Sequence, residues 1–157
     1  MIVLEVETYA KPEQFKAVDE AIRIGQFIRN KSICLGSDGD VKSWFDLSKY
    51  CAIWAKEFDF ANKLGAMGRQ ACAERAWASI SRLYENVKKG VKGRKVGFPK
   101  FLKDCRSVEY KTNSGKLGDD RKSITFTNKC GIGRLKMKGT RDLGLYKLSS
   151  NQAGEIS

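Results

Sequence analysis

The chain has 157 residues and is 41% hydrophobic, enough to build one ordinary domain or two small ones around a core, so disorder is not its default state. No window approaches the roughly 18 uncharged apolar residues of a membrane span, and "MIVLEVETYAKPEQF" lacks the basic and apolar regions of a signal peptide, so a soluble, cytoplasmic protein is expected. The net charge of +12 is unevenly spread: residues 1–85 hold 12 basic and 12 acidic side chains, 86–141 hold 17 and 4, and 142–157 hold 1 and 2.

In chain order, "IVLEVETY" (2–9) is rich in β-branched residues and partly alternates, which predicts a strand ended by "AKP". From Glu13 to about Cys34, Phe15, Val18, Ala21, Ile22, Ile24, Gly25 and Ile28 follow helical spacing, and "GSDGD" closes that helix. Leu47, Tyr50, Cys51, Trp54, Ala55 and Phe58 mark a second helix. After "NKLGAMG", a third has Ala73, Ala76, Trp77, Ile80, Leu83 and Val87 as its inner face. Three amphipathic helices with short connections predict a compact bundle.

Beyond "KKGVKGRKVG" the period changes. "SVEYKT", "SITFT", "IGRLKMK" and "LGLYKL" predict short antiparallel strands, with "NSGKLGDD", "NKCG" and "GTRD" as turns. Such a sheet would leave its edges open, so the N-terminal strand is expected to join it, with the bundle as an insertion. The fold class read from this order is α+β. Residues 1–12 carry the first strand, 13–95 the helical bundle, 96–148 a basic β domain and 149–157 a tail.

A basic segment joined to a neutral helical part suggests a phosphate backbone as partner, because releasing counterions gives such surfaces strong polyanion affinity. A basic surface serving only solubility is the plainer alternative. The five cysteines form no CxxC pair and histidine is absent, which removes the usual zinc spacings and the Ser-His and Cys-His nucleophile pairs. Cys51 and Cys72 fall on apolar helix faces as small buried hydrophobes. Of the paired carboxylates, Glu5 and Glu7 sit on the first strand and Asp119 and Asp120 in a Gly-flanked turn, where structural roles are expected. "GIGRLKMKG" lacks the ending of a phosphate loop.

In "GFPKF" the proline fixes its own backbone and pushes Gly97 and Phe98 toward extended geometry, so the chain is expected to turn there from bundle to sheet. Phe98 and Phe101 would anchor that turn inward, base stacking being the alternative. Lys95, Lys100, Lys103, Arg106 and Lys111 would then point outward toward phosphates.

The stretches "QFIRNKSICL", "DLSKYCAIWAKEF", "GRQACAERAWASISRLYENVKKG", "GFPKFLKDCRSVEYKT" and "KSITFTNKCGIGRLKMKG" together cover nearly all of residues 2–143. In this order they resemble the N-terminal part of the TnpB family of insertion-sequence proteins, RNA-guided DNA nucleases related to the type V CRISPR effectors and historically labelled transposases. The resemblance implies a β-barrel-like wedge domain split by a helical recognition domain, the two holding a guide-type RNA and the double-stranded DNA beside the target. It implies Arg69 and Gln70 as contacts to that DNA on the outer side of the third helix, a job suited to Arg and Gln because each pairs bidentately with a base edge; an ordinary solvated helix face is the other reading. Glu74, beside them, is read as a helix-stabilising partner.

Lys95, Lys100, Lys103, Arg106, Lys111, Arg134, Lys136 and Lys138 complete the expected nucleic-acid contacts. Arg29, Asn30 and Tyr50 are further candidates, with packing or capping as the other reading of Asn30 and core packing that of Tyr50. The family's RuvC-like carboxylates and zinc ribbon follow this region and have no counterpart here. Magnesium and zinc are therefore expected only in the family's C-terminal part, and this chain is expected to be inactive as a nuclease on its own. A regulatory RNA-binding fragment, a decayed remnant and a general basic RNA-binding module are the alternatives.

Overall fold

The computed structural model describes residues 5–111, 114–139 and 154–156. It is an α+β arrangement of four helices and two antiparallel sheets. Helix α1 (Pro12–Asp38) starts with a proline at its first turn, where a missing N–H costs nothing, and ends at Gly39, whose φ of 81° is the left-handed geometry a C-terminal cap requires. Helix α2 (Trp44–Glu57) is capped by Ser43, whose Oγ accepts from Asp46 N at 3.2 Å and donates to Asp46 Oδ2 at 2.8 Å. Helix α4 (Ala66–Lys88) is the third long helix, and a short helix, α3 (Asp59–Lys63), precedes it. The described helical region thus contains four helices where three are predicted, because the chain takes an extra turn at "DFANK" before the break at Gly65.

The inner faces follow the predicted stripes with two exceptions. Phe15 and Val87, expected inside, are exposed: Phe15 lies in the first turn of α1 and Val87 in the last turn of α4, where the apolar stripe runs out. Helices α1 and α4 cross closely at Gly36, where a Cβ would come within 2.3 Å of Ile80 Cδ1, and Tyr84 Oη donates to Gly36 O at 2.8 Å.

The larger sheet has the order β1-β5-β4-β3, with β1 Thr8–Tyr9, β3 Gly115–Leu117, β4 Ser123–Phe126 and β5 Gly133–Met137, every neighbour antiparallel. The N-terminal strand does pair with β5, in the register Thr8↔Met137, but residues 5–7 lie outside it. "SVEYKT" departs from expectation: β2 (Val108–Tyr110) stands apart from this sheet and pairs instead with β6 (Gly154–Ile156). Two strands fall where none is predicted, β3 inside the "NSGKLGDD" turn and β6 inside the 149–157 tail. "LGLYKL" and the start of "IVLEVETY" lie outside the described residues.

One hydrophobic core runs through both parts. Leu135, Ile132, Phe126, Tyr110 and Val108 pack in the same cluster as Ile22, Ile28, Leu47, Trp54 and Leu64. Gln14 ties the start of α1 to β5: its Nε2 donates to Ile132 O at 2.7 Å and Arg134 O at 3.0 Å, and its Oε1 accepts from Lys11 N. On β5, Leu135 faces the core, leaving Arg134 and Lys136 on the exposed side.

Candidate nucleic-acid interface

Between α4 and β2 the chain crosses the molecule with a 3-10 turn at Gly93–Val96 as its only helical element. From Val96 to Val108, burial recurs at every third residue: Val96 and Val108 are buried, and Pro99, Leu102 and Cys105 are partly buried. That is the period of a polyproline-type strand, which has three residues per turn and makes no internal ladder. Side chains of the helices hold the backbone in place. Asn86 Nδ2 donates to Val96 O at 3.0 Å, and Asn30 clasps Leu102 from both sides, Nδ2 donating to its carbonyl at 2.9 Å and Oδ1 accepting from its N–H at 2.8 Å. Gln26 Oε1, one turn earlier on α1, accepts from Cys105 N at 3.0 Å. The segment therefore runs as a strap antiparallel to α1.

This register overturns the expected role of the two phenylalanines. Gly97 is not extended as expected: at φ 77° it turns the chain in left-handed geometry, which glycine adopts freely for lack of a side chain. The inward slots then go to Val96, Pro99 and Leu102, and Phe98 and Phe101 fall out of phase, 70% and 59% exposed. The signal was readable as the spacing V-x-x-P-x-x-L-x-x-C-x-x-V, a period that neither a helix nor a strand template detects. Along the chain on either side of the rings, Lys88, Lys89, Lys92, Arg94, Lys95, Lys100, Lys103 and Arg106 are all exposed, so residues 88–106 present eight basic side chains against one acid, Asp104. None of Lys95, Lys100, Lys103 or Arg106 forms an ion pair among the described residues.

A second basic area covers the outer face of the sheet. Lys116, Thr125 and Arg134 stand opposite one another across three strands, with Lys136 in the next row. Arg134 is partly neutralised by Asp120 at 3.0 Å, and Lys138 lies 3.5 Å from Glu7 and 5.0 Å from the Tyr9 ring centroid. Asp120 also accepts from Lys122 N and Ser123 Oγ, and these bonds hold its carboxyl below the usual carboxylate range. It organises the turn.

Two expected contacts are corrected. Arg69 lies inside rather than on the outer side of the third long helix: it is 7% exposed, and its Nη1 donates to Ala61 O at 3.1 Å and Asn62 O at 3.4 Å, satisfying carbonyls at the end of α3. Burial pulls its pKa down. Lys111 is partly buried, ion-paired with Glu74 and set over the Trp44 ring, because β2 lies against α4 and brings the two side chains together. Gln70 is partly exposed, its Nε2 3.4 Å from Ser48 Oγ. Arg29 is half-buried within electrostatic reach of Cys105, and Tyr50 packs its ring 6.0 Å from that of Trp54.

Among the described residues no group of three or more His, Cys, Asp or Glu is gathered closely enough to hold a metal ion, and no helix is long and apolar enough to cross a membrane. No protein-family model matches the chain, and no curated protein matches it.

Proposed function

We propose that this chain binds nucleic acid as the RNA- and DNA-holding portion of a TnpB-like protein, a wedge of β-strands interrupted by a helical bundle. The observation that supports it most directly is the run of eight exposed basic side chains to one acid over residues 88–106, which leads into the strap, where Asn86, Asn30 and Gln26 hold the backbone at Val96, Leu102 and Cys105. Fixed cations release counterions on meeting phosphates without first paying to order the chain. Arg134, Lys136 and Lys138 extend the basic surface over the sheet, and Gln70 is the surviving candidate for contact with a DNA base edge. The reading assigns no hydrolytic step to these residues.

Anisotropy titration tests it, with RNA transcribed from the DNA flanking the chain's own gene and a scrambled RNA of equal length, across a salt series. Preference for the native RNA that persists as salt rises is expected. Equal affinities falling together would leave only a general basic module and remove the TnpB-like reading; no binding to either RNA at low salt would remove nucleic-acid binding altogether.

A further inference from the structure

We propose that residues 97–106 form a docking strap for single-stranded nucleic acid, in which Phe98 and Phe101 each stack on an unpaired base while Lys100, Lys103 and Arg106 follow the phosphates. The proposal rests on the nucleic-acid reading above and specifies its ligand. With every third side chain turned inward, the remaining two in each triplet are exposed. Phe98, Phe101 and Asp104 share one register and Lys100, Lys103 and Arg106 the other, the chain bending at Lys103 beyond the two rings. Aromatic rings beside basic side chains are the combination single strands require, because every base has a π-face and every nucleotide a charge.

The spacing excludes a duplex from the rings. At about 3.1 Å per residue for an extended strand of this period, Phe98 and Phe101 stand roughly 9 Å apart along the strap. Stacked neighbouring bases lie much closer together, so bases meeting both rings must be splayed, and bases inside a double helix have no free face to offer. The surroundings also argue against a protein partner, since the centres of protein interfaces are depleted in lysine. Here the two rings are flanked along the chain by Lys95, Lys100, Lys103 and Arg106, all exposed. Asn30 and Gln26 hold the backbone in register before any ligand arrives.

The test uses the full chain, an unstructured 12-nucleotide RNA and a perfectly paired hairpin of the same charge. For Phe98→Ala and Phe101→Ala, affinity for the single strand should fall about 5-fold or more per ring, with the salt slope and hairpin affinity unchanged. Phe98→Trp with Phe101→Trp should retain single-strand affinity, which separates lost stacking from lost folding. The inference is overturned if the alanine variants bind the single strand as the wild type does, or lose hairpin affinity equally. It is also overturned if they convert a self-associating chain to a monomer without changing RNA affinity, which would make the rings a protein interface. Wild-type protein that binds neither probe would overturn the nucleic-acid reading as well, whereas loss of binding in a Lys100→Gln, Lys103→Gln, Arg106→Gln variant beside unaffected alanine variants would overturn this inference alone.

Discussion

The same residue type does opposite work in this chain according to where its side chain ends up. Arg69 and Arg106 are both candidates for phosphate or base contact on charge alone, yet Arg69 is spent on the carbonyls that end α3 and Arg106 faces solvent. Placement matters for the cysteines too. Burial pushes the thiol of Cys72 up to about 12 and those of Cys51 and Cys130 up to about 11, from an ordinary value of 9.0. These thiols stay protonated in the folded chain at a pH where the unfolded chain has already ionised them. Their contribution to stability is therefore complete below about pH 9 and declines as pH rises toward the folded values. Urea unfolding at pH 8 and pH 10 should show the midpoint falling at the higher pH. Substituting serine at Cys51, Cys72 and Cys130 should shrink that difference, and an unchanged difference would show that other groups cause it.

Between elements, contacts are set by small residues and by amides. At Gly36 a methyl group would meet Ile80 Cδ1, Cγ1 and Cγ2 within 3.3 Å, and Ile80 is itself buried, so it has little room to move. Gly36→Ala should cost about 1–3 kcal/mol by denaturant unfolding, and pairing it with Ile80→Val should cost less than the two changes summed. Additive costs would mean that the helices separate rather than collide. Asn30→Ala removes both bonds to Leu102, about 1–3 kcal/mol if the strap amide is left unsatisfied. Trypsin should then cut after Lys100 and Lys103 well before the chain unfolds globally; cleavage no faster than in the wild type would show that the strap is held elsewhere.

The helices were legible in the sequence because Ile22, Ile28, Leu47, Trp54, Ala76 and Ile80 repeat with the helical period, and all of them are buried. Strands β4 and β5 were legible by alternation. The short helix at "DFANK" and the strands at "GKL" and "GEI" were not, since runs of three to five residues carry too little pattern and are fixed by their partners. That Lys95, Lys100, Lys103, Arg106, Arg134, Lys136 and Lys138 would be exposed was legible from charge density. Charge density could not say that Lys111 would be claimed by Glu74, or that Phe98 and Phe101 would point outward.

Taken together, helices and sheet share one core and leave part of the basic excess exposed, Lys95, Lys100, Lys103 and Arg106 on the strap and Lys116, Arg134 and Lys136 on the outer sheet face. Neutralising part of that excess without touching the core separates a charge-driven ligand site from a merely soluble surface. The direct measurement is the salt dependence of RNA affinity for the wild type and for the triple variant Lys100→Gln, Lys103→Gln, Arg106→Gln, with both chains shown to unfold at the same denaturant concentration. Each lost phosphate contact should flatten the plot of log affinity against log salt by about 0.7 for a single strand, so a decrease of roughly 2 is expected along with weaker binding. An unchanged slope and affinity would contradict the account, because the strap would then make no contact with phosphate.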